Sequence, residues 1–310
     1  MLLFPEKTII QQINDPLFEE HKISLFIKRE DLLHEHISGN KWHKLKYNIQ
    51  EAKNKKQKTI LTFGGAYSNH IAATAYAGKL YNINTIGIIR GEKHDTLNHT
   101  LKFAKDNGMQ LNFISRQEYR NKKNTEYVKS LRDAFGDFYL IPEGGNNVFA
   151  LKGCAEMLEQ TKNDYDYYTV SCGTGATLAG MSIGLNENKK IIGFSALKGG
   201  DFFNEDIKNA IAQYNSFFGS NCKGENFKIM TEYHFGAYAK ITSELLDFVK
   251  NFKIKHNVPL DYIYTGKMMF GIYDLIKNNY FKEGSKILAI HTGGLQGNEE
   301  IENQALCHTK

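Results

Sequence analysis

The chain has 310 residues, of which 41% are hydrophobic and 24% charged, the balance of a globular protein long enough to divide into two packed domains. No apolar run approaches the roughly 18–20 residues of a membrane span, and the start, Met1-Leu2-Leu3-Phe4-Pro5-Glu6, lacks the pattern of a secretory signal, so a cytoplasmic location is expected. The net charge of +5 comes from lysines interspersed with acids, and arginine stands only at 29, 90, 116, 120 and 132, which argues against nucleic acid and membrane as partners.

Eight short β-rich runs follow one another at 24–29, 59–63, 85–89, 110–114, 138–141, 167–171, 189–194 and 286–290, with helical stretches between them. Apolar runs of this length, separated by helices, predict parallel strands joined by crossovers. The fold class is therefore α/β, with two doubly wound lobes and mostly parallel sheets. Four strand–helix units lie between Lys44 and about Gly145, and a second series continues to the end. In such a fold a ligand sits in the crevice at the strand C-termini. Cys154, Cys172, Cys222 and Cys307 are far apart, and none of the eleven histidines forms an H-E-x-x-H pattern, so neither a metal site nor a disulfide frame is expected.

Three loops after predicted strands carry chemistry. In TFGGAYSNH (62–70) two glycines lead to Ser68 and Asn69, which can cap the next helix while its free amides grip a carboxylate; a plain helix cap is the alternative. In SCGTGATLAG (171–180), Gly173, Thr174, Gly175, Ala176 and Thr177 offer amides and two hydroxyls to a phosphate, against a tight turn with no ligand. The ribose-binding acid of a dinucleotide site is missing from the following strand. HTGG (291–294) permits close backbone approach and presents Thr292. Lys41, behind Ser38-Gly39-Asn40, is a surface charge if taken alone. Beside a phosphate loop and an anion-gripping loop, it completes the parts that hold pyridoxal phosphate as a Schiff base.

KRED (28–31), GNKWHKL (39–45), GGAYSNH (64–70), PEGGNN (142–147), CGTGAT (172–177), YTGKMMFG (264–271) and HTGG (291–294) occur together. In this order the chain resembles the fold-type-II, tryptophan synthase β-like pyridoxal phosphate enzymes, in the branch of 1-aminocyclopropane-1-carboxylate deaminase and D-cysteine desulfhydrase. The resemblance implies a large cofactor-binding domain, 1–44 plus 151–310, a small domain, 45–150, an active site between them, and a homodimer. It makes Lys41 the lysine that carries the cofactor and the catalytic base. Asn69 becomes the partner of the cofactor's phenolic oxygen and 173–177 the phosphate cradle. Ser68, Asn69 and His70 receive the substrate carboxylate, with Ser68, Tyr264 and Tyr238 catalytic.

Thr265 and Thr292 are expected to face the pyridine nitrogen, where the deaminases carry Glu and Leu. A hydroxyl there cannot hold the ring protonated, which favours elimination of a good leaving group. The expected activity is D-cysteine to pyruvate, sulfide and ammonia; the alternative is opening of aminocyclopropane carboxylate to 2-oxobutanoate and ammonia. A catalytically silent phosphate- or nucleotide-binding protein is the reading from another class.

Overall fold

The computed structural model of the protein describes residues 8–307 apart from 93–94, 160, 162–163 and 201–202, with the backbone alone for 303–307. In chain order the strands are β1 (Ile10–Ile13), β2 (Ser24–Lys28), β3 (Thr59–Gly65), β4 (Asn84–Arg90), β5 (Met109–Ile114), β6 (Tyr139–Ile141), β7 (Tyr167–Cys172), β8 (Lys190–Ser195), β9 (Phe227–Met230) and β10 (Lys286–Ile290). The helices are α1 (Pro16–Glu20), α2 (Asn40–Asn54), α3 (Asn69–Tyr81), α4 (His99–Asp106), α5 (Thr125–Phe135), α6 (Val148–Glu156), α7 (Ala176–Gly184), α8 (Phe203–Phe218), α9 (Ser243–His256), α10 (Thr265–Lys277) and α11 (Asn298–Cys307).

The strands form two sheets. One has the order β5-β4-β3-β6 and is wholly parallel; the other has the order β1-β2-β10-β7-β8-β9, with β1 antiparallel to β2 and the rest parallel. All eight expected strands are present. The two not foreseen, β1 (IQQI) and β9 (FKIM), lie at the edges of the larger sheet, where half-exposed polar positions break the apolar pattern.

Central strands are apolar on both faces because helices cover both. Along β10, Ile287 and Ala289 pack with Phe252, Met268 and Ile272 of α9 and α10. The alternate residues Leu288 and Ile290 pack on the other face with Leu178 and Met181 of α7 and Ile207 of α8. In the smaller sheet, Ile60 and Ile141 meet Trp42, Leu45 and Ile49 of α2, while Leu61, Phe63 and Ile88 meet Leu131 of α5.

Four charged residues of the KRED run are buried rather than solvated. Glu30 is fully buried, and its carboxylate accepts from Lys28 and from His43 Nε2 at 2.8 Å. Arg29 forks onto both oxygens of Asp31 at 2.9 and 2.7 Å, and Asp31 in turn lies 3.5 Å from His291 Nδ1. This ionic knot ties the end of β2 to two loops, since Glu30 O accepts from Gly39 N at 2.8 Å and His291 opens the loop after β10. Gly39, at φ +63°, lies so close to that loop that a Cβ would sit 2.0 Å from Thr292 O. No other residue permits this contact.

Candidate active site

The loops after β3, β4, β6, β7 and β10 meet around a cavity of about 490 Å³, lined by residues of both sheets' C-terminal ends. Lys41, in the first turn of α2, reaches into it. Its ammonium donates to Asn40 Oδ1 at 2.7 Å, and Asn40 Nδ2 donates to Thr177 Oγ1 at 2.8 Å. Burial, followed by the charge of Lys44, pulls the Lys41 amine down to about 7. Near neutrality much of it is the free amine, the form that attacks a carbonyl or accepts a proton.

The 173–177 loop, bonded to Asn40 through Thr177, forms another part of the wall. Gly175 caps α7 in the left-handed region at φ +77° with no side-chain cap, which leaves the first-turn amides of α7 open. Gly173, Thr174, Gly175 and Thr177 line the cavity, whereas Ala176 is buried beneath it. Thr174 Oγ1 is buried without a partner in the protein. An orphaned hydroxyl and free helix-start amides in one loop are the donor set a phosphate requires.

In the 62–70 loop, Ser68 Oγ accepts from Ile71 N at 3.3 Å and so serves as the cap of α3, while the amides of Asn69 and His70 stand at that helix's open start. The His70 ring does not suit a carboxylate. Thr62 Oγ1 donates to Ile141 O at 2.8 Å and therefore accepts from His70 Nε2 at 2.9 Å, which leaves Nδ1 as a buried lone pair with no partner. Burial and the charges of Lys41 and Lys44 hold the imidazole neutral, with its pKa lowered to about 3. Any grip on a carboxylate by His70 is through its amide.

Tyr264 and Tyr238 are brought together on the third side, their hydroxyls 2.6 Å apart. Burial, then Tyr238, raises Tyr264 well above the ordinary phenol range. Tyr238 sits on a loop without regular secondary structure between β9 and α9. That loop is held by Lys267, which is 1% exposed and whose ammonium donates to the carbonyls of His234, Ala237 and Tyr238 at 2.9, 3.0 and 3.0 Å.

The two threonines expected at the ring nitrogen part company. Thr292 lines the cavity and pairs with Ser171, Oγ to Oγ 3.1 Å. Thr265 is fully buried outside the lining: its hydroxyl donates to Asp261 Oδ1 at 2.6 Å and accepts from Asp261 N at 2.8 Å. Asp261 also accepts from the amides of Ile263, Tyr264 and Thr265, so it gathers the turn that enters α10 and Thr265 is bound into that turn. A contact four residues away satisfies the Thr265 hydroxyl locally.

Four contributors were not singled out from the sequence: Lys44, Ser171, Arg90 and Lys267. Lys44 lines the cavity one turn beyond Lys41 on α2 and donates to Gly144 O at 3.0 Å; the i, i+3 spacing within GNKWHKL was the available signal. The roles of the other three depend on partners distant in sequence.

The lysine amine, the open phosphate cradle and the hydroxyl pair fit pyridoxal phosphate. The chain matches the family model described as "Pyridoxal-phosphate dependent enzyme" over residues 7–293. A Pyrococcus horikoshii protein is 30% identical over 309 residues, 95% of this chain and 91% of its own. The "Bifunctional D-cysteine desulfhydrase/1-aminocyclopropane-1-carboxylate deaminase, mitochondrial" of Arabidopsis thaliana is 32% identical over 88% of this chain and 73% of its own. Among solved structures, an "ACC deaminase homologue" superposes with a TM-score of 0.85 at 29% identity, covering 98% of this chain and 94% of that one. The protein thus belongs to the pyridoxal-phosphate dependent enzymes of fold type II, in the branch of the 1-aminocyclopropane-1-carboxylate deaminases and D-cysteine desulfhydrases.

Proposed function

We propose that the protein is a D-cysteine desulfhydrase, converting D-cysteine and water to pyruvate, sulfide and ammonia. The observation that carries this choice is the Ser171–Thr292 hydroxyl pair on the cavity wall. Hydroxyls hydrogen-bond a neutral ring nitrogen, whereas keeping the nitrogen protonated calls for a carboxylate. The cavity's one lining acid among the described residues, Glu143, lies 3.4 Å from Lys122.

Pyridoxal phosphate, when bound, supplies an electron sink conjugated to the substrate's α-carbon. Lys41 would carry it, the 173–177 loop with Lys44 would hold its phosphate, Asn69 its phenolic oxygen, and Thr292 with Ser171 its ring nitrogen. The amides of Asn69 and His70 grip the substrate carboxylate at the start of α3. Lys41, its amine poised near neutrality by burial, would take the α-proton. Loss of that proton would let the Cβ–S bond break with the electron pair leaving on sulfur, and hydrolysis of the freed enamine would give pyruvate and ammonia. Tyr264 and Tyr238, whose phenols stay protonated, are placed to hand a proton to the departing sulfur. The small domain is taken as 45–150 and the large one as 1–44 with 151–310, in a cytoplasmic homodimer.

The test is a panel of D-cysteine, L-cysteine, D-serine and aminocyclopropane carboxylate, scored for 2-oxo acid release. D-cysteine should have the highest kcat/KM. A higher value for the cyclopropane substrate would overturn the assignment in favour of the deaminase.

A further inference from the structure

Three cationic side chains line the cavity, Lys41, Lys44 and Arg90, and two of them have partners in the machinery already described. Arg90 ends β4 with its side chain exposed at the cavity mouth. Its Nη2 is 3.6 Å from where a Cβ on Gly65 would lie, so the guanidinium spreads over the loop that leads to Ser68 and Asn69. Its Cζ lies 5.6 Å from the centroid of the Tyr119 ring, and its charge is felt at the Tyr238 phenol. Arg29 and Arg132 each hold an aspartate, but no carboxylate among the described residues is within ion-pairing distance of Arg90. The one acid that lines the cavity among the described residues, Glu143, is engaged by Lys122.

An arginine at the mouth of a cleft with no acid to neutralise it draws anions in, and its planar fork matches a carboxylate, phosphate or sulfonate. The cofactor's phosphate is accounted for by the 173–177 loop and the substrate's own carboxylate by the start of α3. We propose that Arg90 forms a subsite for a second negative charge, carried on the substrate's β-substituent. Resting on the assignment of this cavity as the amino-acid site, it makes the substrate class α-amino acids with an acidic or readily ionised group on Cβ. D-cysteine, whose thiol ionises at about 8.5 when unperturbed, is the smallest such compound, and aminocyclopropane carboxylate carries no such group.

The experiment titrates the holoenzyme's cofactor absorption with D-serine and with O-phospho-D-serine, which differ only in the β-anion. The wild type should bind the phosphorylated compound about tenfold more tightly, the yield of one charge-assisted hydrogen-bonded contact. Arg90→Gln should bring the ratio of the two dissociation constants to about one, and Arg90→Lys, which keeps the charge without the fork, should lie between. If Arg90→Gln does not fold, the wild-type ratio itself decides, because a charge contact at an open mouth must weaken as salt is raised. A ratio that neither the substitution nor salt moves would overturn the subsite and leave the amino-acid site standing. Absence of any spectral response to either compound would instead overturn the amino-acid site on which it rests.

Discussion

The hydroxyls of Tyr238 and Tyr264 lie 2.6 Å apart because one helix start serves both. Tyr264 immediately precedes α10, and Lys267, three residues on, gathers three carbonyls of the loop that carries Tyr238. Lys267→Met would leave those carbonyls unpaired and release the loop, lowering kcat/KM on the order of 100-fold. Made in a Tyr238→Phe background, the same change should add little, since both act through one phenol. Fully additive losses in the double-mutant cycle would show that Lys267 does not work through Tyr238.

Lys41→Ala should reduce oxo-acid release to below about 1% of wild type while the thermal transition is retained, because cofactor attachment and proton transfer both need the amine. Borohydride treatment, followed by peptide mapping, should fix the cofactor on Lys41 in the wild type and nowhere in the variant. Activity above a few per cent would count decisively against the assignment.

Thr265→Glu, the residue type of the deaminases, should not simply convert the activity. It places a second carboxylate in a fully buried position whose hydroxyl is bonded to Asp261, and two like charges there repel. We expect a loss of about 3 kcal/mol or more in urea denaturation at pH 7, shrinking as the pH falls and one carboxyl takes up a proton. Unchanged stability would mean that the turn entering α10 rearranges to bring position 265 into the cavity.

Stability should fall in acid through Glu30. Burial pushes its carboxyl up, but the His43 hydrogen bond and the charges of His43 and Lys28 outweigh this and bring it to about 2. Its folded pKa is thus below the unfolded value of 4.5, so its contribution is present above pH 4.5 and is lost as pH falls from there towards 2. The pKa difference corresponds to about 3 kcal/mol. In Glu30→Gln the acid limb of the stability curve should flatten and stability at pH 7 should drop. An identical acid limb in wild type and variant would place the acid sensitivity elsewhere.

Along the chain, what sequence alone determined is what depends on near neighbours. The eight apolar runs had to be strands because helices on both sides bury them, and the glycine-led loops at 64, 173 and 293 marked chain segments that line the cavity. Lys41 stood out only in the company of the phosphate loop and the anion-gripping loop. Only the tertiary structure decided which polar groups meet. Glu30 and Asp31 look like surface charges until His43 and His291 are folded against them, and Ser171 becomes a partner of Thr292 only when β7 lies beside β10. Arg90 acquires meaning from Gly65 on the adjacent strand, and Lys267 from a loop with no pattern of its own. Thr265 shows the opposite failure: assigned to the cofactor by resemblance, it is claimed by Asp261 four residues before it. Periodicity and turn chemistry are written within a few residues, whereas the partner of a buried polar group is set by which strands the topology places side by side.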